Sequence, residues 1–210
     1  SVPEKSDIEV ETMGGEIILS DLQGNFSGKT MGGRMRFSGL KGTIDMVTMG
    51  GNIDVAKSVL DGNVETMGGN IMLNDITGDL DAKTMGGNVI YRNVYDSEGH
   101  PRSGGKVVKI STMGGNIELS EAPQGADLKT MGGNIVLSLP GKIPATIHAE
   151  IRIDPGKNVF KRFDIYSDFP LSKSSPEEFS RSLTSTSEIN GGGDPIDLKA
   201  NGGNITIKKQ

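Results

Sequence analysis

Apolar residues recur along this chain at short, uneven intervals that repeat as a block. In the stretch TMGGNIMLNDITGDLDAK, from Thr66 to Lys83, they are Ile71, Leu73, Ile76, Leu80 and Ala82, at offsets of 5, 7, 10, 14 and 16 from the threonine. Pairs two residues apart lie on one face of an extended segment, which predicts short strands with a single inward face rather than helical turns. The first pair returns as Ile17 and Leu19, Met35 and Phe37, Ile53 and Val55, Val89 and Tyr91, Ile117 and Leu119, and Ile135 and Leu137. Between the predicted strands lie Gly68-Gly69 and Gly78. Glycine turns a chain sharply because it takes positive φ at no steric cost. On that basis Gly68→Val strains the corner and destabilises the central unit.

Each block is marked by Thr-Met-Gly-Gly, beginning at Thr12, Thr30, Thr48, Thr66, Thr84, Thr112 and Thr130, with a worn copy, ANGGNI, from Ala200. The first seven copies are eighteen residues apart except between Thr84 and Thr112, where the gap is twenty-eight and a ten-residue insertion interrupts one unit. A fixed period near twenty residues is that of a solenoid, in which each unit buries its apolar side only by stacking on its neighbours. The expected fold is all-β: a single-stranded parallel β-helix of about eight 18-residue coils with Gly-Gly corners. A left-handed hexapeptide helix shares that coil length but needs an apolar residue every six positions, which the offsets do not supply. The hand expected is right, following the bias of parallel crossovers.

One domain over 1–210 is expected, with repeat coils at 8–141, a loop insertion at 95–105, a non-repeat segment at 142–187 and a final coil at 188–210. The non-repeat segment opens with ATIHAEIRI, where His148 reads as a hydrogen-bonded structural residue, and carries Phe160, Phe163, Phe169 and Phe179. Aromatics concentrated outside the repeat predict a cap over an end or a side of the rod. The first coil has no obvious cap, so either a preceding segment has been removed or its edge pairs with another copy in an edge-to-edge homo-oligomer.

Stacking sets equivalent residues in columns. The corners are Gly14-Gly15, Gly32-Gly33, Gly50-Gly51, Gly68-Gly69, Gly86-Gly87, Gly114-Gly115 and Gly132-Gly133, each with its following residue. Asn52, Asn70, Asn88, Asn116, Asn134 and Asn204 are expected to pass amide hydrogen bonds from coil to coil. The seven methionines of the motif are expected to fill the corner as a flexible apolar ladder. One threonine per coil satisfies turn hydrogen bonds more simply than it builds an ice-binding face.

Composition narrows the chemistry. With 31 glycines and 34% apolar residues among 210, the chain is a folded, glycine-punctuated protein and not collagen-like. Its net charge of -5 is spread without a basic stripe, so nucleic acid is not an expected partner. No apolar run is long enough for a transmembrane segment. There is no cysteine, which removes disulfides, thiolate nucleophiles and Cys-based zinc sites. Ser1 reads as the start of a trimmed or mature chain. No cofactor or metal is expected: the β-roll calcium position holds Asn or an apolar residue, and soft thioethers suit Cu(I) but lie out of reach in a buried ladder.

Two places stand out for function. The insertion, YDSEGHPRSGG, sets Asp96, Glu98, His100 and Arg102 on one loop, a candidate ligand-binding cluster set against the simpler reading of a solvated excursion. An outward stripe, Ile18, Arg36, Asp54, Met72, Ile90, Glu118 and Val136, is partly apolar; Ile18, Met72 and Ile90 are its candidate partner surface, unless the Phe-rich segment covers Ile90 and Met72. A carbohydrate lyase or hydrolase is the alternative, since β-helices host such chemistry; its candidate acids are Asp54 beside Arg36, or Asp75 with Asp79 and Asp81.

The units GGEIIL, GGNIDV, GGNIML, GGNIEL and the closing NGGNITI resemble the bacterial adhesin-type family of G-[DN]-I β-strand repeats, related to the head-GIN autotransporter adhesins. The likeness spans nearly the whole chain. It implies a secreted, periplasmic or cell-envelope β-helical protein without naming a molecular activity; together with the solenoid and the absence of a catalytic constellation it makes a non-enzymatic module contacting protein or glycan at the cell surface the leading expectation. The uniform Thr-Met corner and the Phe-rich detour depart from that pattern, so no functional residue carries across.

Overall fold

The computed structural model describes residues 6–95, 107–120, 125–152, 163–173 and 182–210. Every regular element in them is a strand; they contain no helix, and therefore none long and apolar enough to cross a membrane. The strands stack as two parallel columns, the arrangement of a β-helix-like solenoid.

One column contains β2 (Ile17–Ser20), β4 (Met35–Ser38), β6 (Ile53–Thr66), β7 (Ile71–Thr77), β9 (Val89–Tyr95), β11 (Ile117–Ser120) and β13 (Ile135–Leu139). The other contains β1 (Ile8–Thr12), β3 (Gln23–Thr30), β5 (Lys41–Thr48), the second half of β6, β8 (Leu80–Thr84), β10 (Val108–Thr112) and β12 (Ala126–Thr130). Register follows the sequence period: Thr12 pairs with Thr30 and Thr48 with Thr66. Across the insertion, Thr84 still pairs with Thr112 and Val89 with Ile117. Ten extra residues therefore leave the ladder undisturbed. The loop itself, with Asp96, Glu98, His100 and Arg102, lies outside the described residues, as do Phe160 and Phe179.

Inward positions are those the offsets predict. Ile71, Leu73, Ile76, Leu80 and Ala82 are all buried, and their equivalents join them in one cluster. Each fully buried aliphatic side chain contributes about 1.5–3 kcal/mol relative to exposure. Tyr91 is the polar exception. It is completely buried, and its hydroxyl has no hydrogen-bond partner among the described residues. Burial, with a smaller push from the Asp81 charge, holds its phenol well above the ordinary range. Tyr91→Phe is expected to raise stability by about 1 kcal/mol, because an unpaired buried hydroxyl is removed. It also removes an alkaline weakness. Above about pH 10 the unfolded chain ionises this phenol while the folded chain does not, so stability falls by about 1.4 kcal/mol per pH unit until the folded group also titrates. Urea titrations at neutral pH and above pH 10 measure both effects; equal alkaline sensitivity in parent and variant refutes the second.

At the corners the geometry departs from expectation. Among the seven Thr-Met-Gly-Gly copies only Gly15 takes positive φ. The second glycine of each later copy is needed for close approach instead: a Cβ at Gly51, Gly69, Gly87, Gly115 or Gly133 falls 1.9–2.0 Å from the carbonyl oxygen of the equivalent glycine one coil back. The first glycine of the pair meets nothing nearer than 3.4 Å in any copy. Left-handed backbone lies elsewhere, at Gly78 (φ 108°) and at Asp21, Gly39, Lys57, Asp75 and Asn93 (φ 49–65°). That second set is a column nine residues after each of the first five threonines, where the first strand bends. Asp, Asn and Gly tolerate this conformation, and Asn93 Nδ2 donates to Asp75 Oδ1 at 2.7 Å.

The threonine hydroxyls act as expected. Thr66 is buried; its Oγ1 accepts from Gly69 N–H at 3.1 Å and donates to the Gly51 carbonyl at 2.9 Å. The same pair of bonds recurs at Thr48, Thr84, Thr112 and Thr130. The asparagines link coils, but through one amide oxygen and one backbone N–H. Asn70 N–H donates to Asn52 Oδ1, Asn88 to Asn70, Asn116 to Asn88, Asn134 to Asn116 and Asn204 to Asn134, all at 2.7–2.8 Å.

Chain order and stacking order part company at the far end. β14 (Ala145–Arg152), β15 (Ile165–Ser167), β16 (Ser172–Lys173) and β17 (Ser182–Ile189) come before β18 (Pro195–Asn201) and β19 (Ile205–Lys209). Yet β18 lies between β12 and β14, and β19 between β13 and β15. The last strands thus insert between the seventh motif copy and the non-repeat segment. Beyond them β14 pairs antiparallel with β17, and β17 with β16. The described part of the Phe-bearing segment covers this end, where Phe169 is buried and Phe163 packs on the core. It does not cover Ile90, which is separated from β15 by β11, β13 and β19. His148 points outward and is exposed, which corrects its reading as a structural residue.

Candidate functional site

The motif methionines are where the structure most changes the picture. Each lies between a threonine, buried in every copy but the half-buried Thr12, and two residues without side chains, so it projects from the corner with no inward space to enter. Met13, Met31, Met49, Met67, Met85, Met113 and Met131 are 40–78% exposed. The ladder expected to fill the corner instead forms a ridge outside it. Backbone bonds fix its rungs: the N–H groups of Met31, Met49, Met67, Met85 and Met131 donate to the preceding coil's threonine carbonyl at 3.1–3.3 Å. Successive rungs follow the strand spacing of about 4.8 Å.

Two open grooves run along this ridge. One, of about 710 Å³, is lined by Met13, Met31 and Met49 with Glu11, Thr12 and Lys29. The other, of about 440 Å³, is lined by Met85, Met113 and Met131, with Lys83, Lys129, Lys199 and Arg152 along its sides. The three lysines come from one column of register: Lys83 pairs with Ser111, Ser111 with Lys129 and Lys129 with Lys199, while Arg152 stands two residues on, paired with Asn201. Lys129 meets Asp127 and Arg152 meets Glu150 on their own strands, while Lys83 lies 3.5 Å from Glu65. The side chains nearest the methionines are thus cationic, with carboxylates behind them.

The outward stripe keeps its predicted order. Ile18, Arg36, Asp54, Met72, Ile90, Glu118 and Val136 are successive register partners. Ile18 and Met72 are exposed and Ile90 half-buried, so the Met72–Ile90 pair is a small apolar patch within a mixed row.

Of the acids singled out for glycosidic chemistry, Asp54 does lie beside Arg36 as its register partner, but the two are not ion-paired. Asp54 is held by Nε and Nη2 of Arg34, not by Arg36, which pairs with Glu16 at 3.0 Å. Asp75 sits in the left-handed column accepting from Asn93, and Asp81 accepts from Lys109 N–H at 3.0 Å. Among the described residues no group of three His, Cys, Asp or Glu side chains is arranged to hold a metal ion.

Sequence reasoning missed the ridge and the left-handed column. The column was visible as Asp, Gly, Asp and Asn nine residues after Thr12, Thr30, Thr66 and Thr84, with Lys57 the only outlier. The ridge was visible in principle too: a residue between an inward threonine and a glycine pair has to point out.

No protein-family model, curated protein or solved structure matches this chain.

Proposed function

We propose that the chain is a non-enzymatic binding and structural module of the cell envelope or of a secreted protein, adhesin-like, contacting an anionic glycan or protein. The observation that carries this is the groove where Met85, Met113 and Met131 form an apolar floor beside Lys83, Lys129, Lys199 and Arg152. Methionine surfaces adapt to partners of varied shape, and a cationic edge steers anionic ones. A rod built from repeated rungs presents the same groups along its length, which suits a linear polymer or an extended surface. The extracytoplasmic setting and the adhesin role are supported by the G-[DN]-I repeat resemblance. The eighteen-residue registers support a rod of about eight coils, and crossover bias supports the right hand.

The test is a screen of the chain against an array of anionic glycans and acidic proteins, repeated with Lys129→Glu/Lys199→Glu. Both lysines are outward-facing, so the fold is expected to survive. Binding is expected in the parent, weakened at least tenfold by the double substitution and by raising salt from about 0.05 to 0.5 M. No anionic binder in the parent, or equal binding by the variant, overturns the proposal.

A further inference from the structure

Across the motif and the residue that follows it, three positions have a geometric reason to repeat. The threonine hydroxyl bridges two glycine backbones, the second glycine admits the coil before it, and the following asparagine, in most copies, bonds to the next. Like the first glycine, which has no side chain to offer, the methionine has none of these reasons. It is exposed in all seven copies, where packing places no demand on its shape. Neighbouring outward columns vary freely: Glu11, Lys29, Val47, Glu65, Lys83, Ser111 and Lys129 precede the threonines, and the stripe through Ile18 and Met72 mixes apolar and charged residues. A surface chosen for apolar contact alone would accept Leu, Ile or Val. What every rung retains is the thioether.

We propose that the methionine ridge binds a soft monovalent cation, Cu(I) or its redox-inert analogue Ag(I), held between the sulfurs of successive coils. Thioether sulfur is a neutral, soft donor that selects Cu(I) over hard cations such as Mg²⁺ and Ca²⁺. The rungs stand about one strand spacing apart, and the unbranched methionine side chain has the rotatable bonds to bring neighbouring sulfurs onto one ion. The chain has no cysteine, and exposed His148 lies three residues before the Ile151–Ala200 register pair, not on the ridge. The first groove is the favoured seat. Met13, Met31 and Met49 supply three sulfurs, and Glu11 offsets Lys29 there, whereas the second groove sets four cationic side chains against an incoming cation. The ridge ends where Asn201 replaces methionine in the worn motif copy. A thioether has no proton to lose, so binding is independent of pH across the range where His and Cys sites change affinity.

The experiment is a titration of the full chain with Ag(I) in chloride-free buffer at pH 5.5 and 7.5 (values chosen to straddle the His range, about 6.5), followed through the methionine methyl resonances. The chain carries its own controls: Met35 and Met46 are buried in the core, and Met72 is exposed but stands alone. Met13, Met31 and Met49 are expected to shift first and saturably at both pH values, with Met72 lagging at least tenfold in Ag(I) concentration. Met13→Leu/Met31→Leu/Met49→Leu keeps the apolar surface and removes the sulfur, and is expected to abolish that first event. Three results overturn the proposal: no ridge shift at tenfold excess Ag(I), Met72 titrating together with the ridge, or unchanged binding in the leucine variant. Anionic-partner binding at the other groove is untouched by these substitutions, so the two proposals fail separately.

Discussion

Gly69→Ala is expected to destabilise the central coils by about 3 kcal/mol or more, while Gly68→Ala one residue earlier changes stability by less than about 1 kcal/mol. The contrast follows from what a single methyl group meets. At Gly69 it would lie 2.0 Å from the Gly51 carbonyl oxygen, 2.4 Å from its carbon and 2.8 Å from Asn52 N. These are backbone atoms of the neighbouring coil, and they cannot swing aside as the tip of a side chain does. Relief requires the coils to separate, which lengthens the Thr66–Gly51 bond and the Asn70–Asn52 bond on either side. At Gly68 the nearest atom is the Met49 carbonyl oxygen at 3.7 Å, an ordinary contact, and φ lies outside the left-handed region. Overpacking of this kind costs 1–3 kcal/mol in a yielding core and more where backbone is the obstacle. Urea unfolding, with amide exchange in β7 and β8 as the local probe, measures both variants. Equal effects at the two positions would place the constraint in backbone conformation and refute the close-approach account.

That contrast also shows what the sequence makes legible. Inward positions were readable because burial acts on every unit alike: Ile71, Leu73, Ile76, Leu80 and Ala82 recur at fixed offsets, and all are buried. The threonine's task was readable from its place before a turn. The glycine pair was placed correctly but explained wrongly, since a sequence shows that a side chain is absent and not whether φ or a neighbouring strand requires it. The methionines were misplaced because hydrophobicity was taken as a sign of burial; corner geometry overrides it, leaving the ridge exposed. The insertion hid nothing from the ladder, since β8 pairs with β10 as if no residues intervened. What no period could reveal was the order of stacking at the far end, because the non-repeat segment carries no register mark and its strands pair antiparallel as well as parallel.

That order leads to the other large expected effect. Leu198→Asp/Ile205→Asp in the full chain is expected to release the non-repeat segment while leaving most of the solenoid folded. Both residues are completely buried, one in β18 and one in β19. A carboxylate there, with no partner, costs several kcal/mol, more than one coil gains from its neighbours. β18 is the layer between β12 and β14, and β19 the layer between β13 and β15. When they leave, β14 keeps only its antiparallel partner β17, which holds just the two-residue β16 on its other side, and so small a sheet with no layer to bury its face is marginal in water. Among the described residues no strand from β1 to β11 pairs with any of these strands, and in a solenoid each unit draws stability from its nearest neighbours. Amide exchange resolves the outcome by segment: protection is lost over 145–152, 182–189 and 195–209 and kept over 35–92. Along the chain β14 and β17 precede β18, so the slot that β18 enters has to stay open until β18 docks. In refolding from urea, protection over 145–152 is therefore expected to appear together with that over 195–209, and later than over 53–84. Protection of 145–152 that precedes β18, or that survives the double substitution, would show that the antiparallel layer stands alone and that β18 and β19 merely fill a gap.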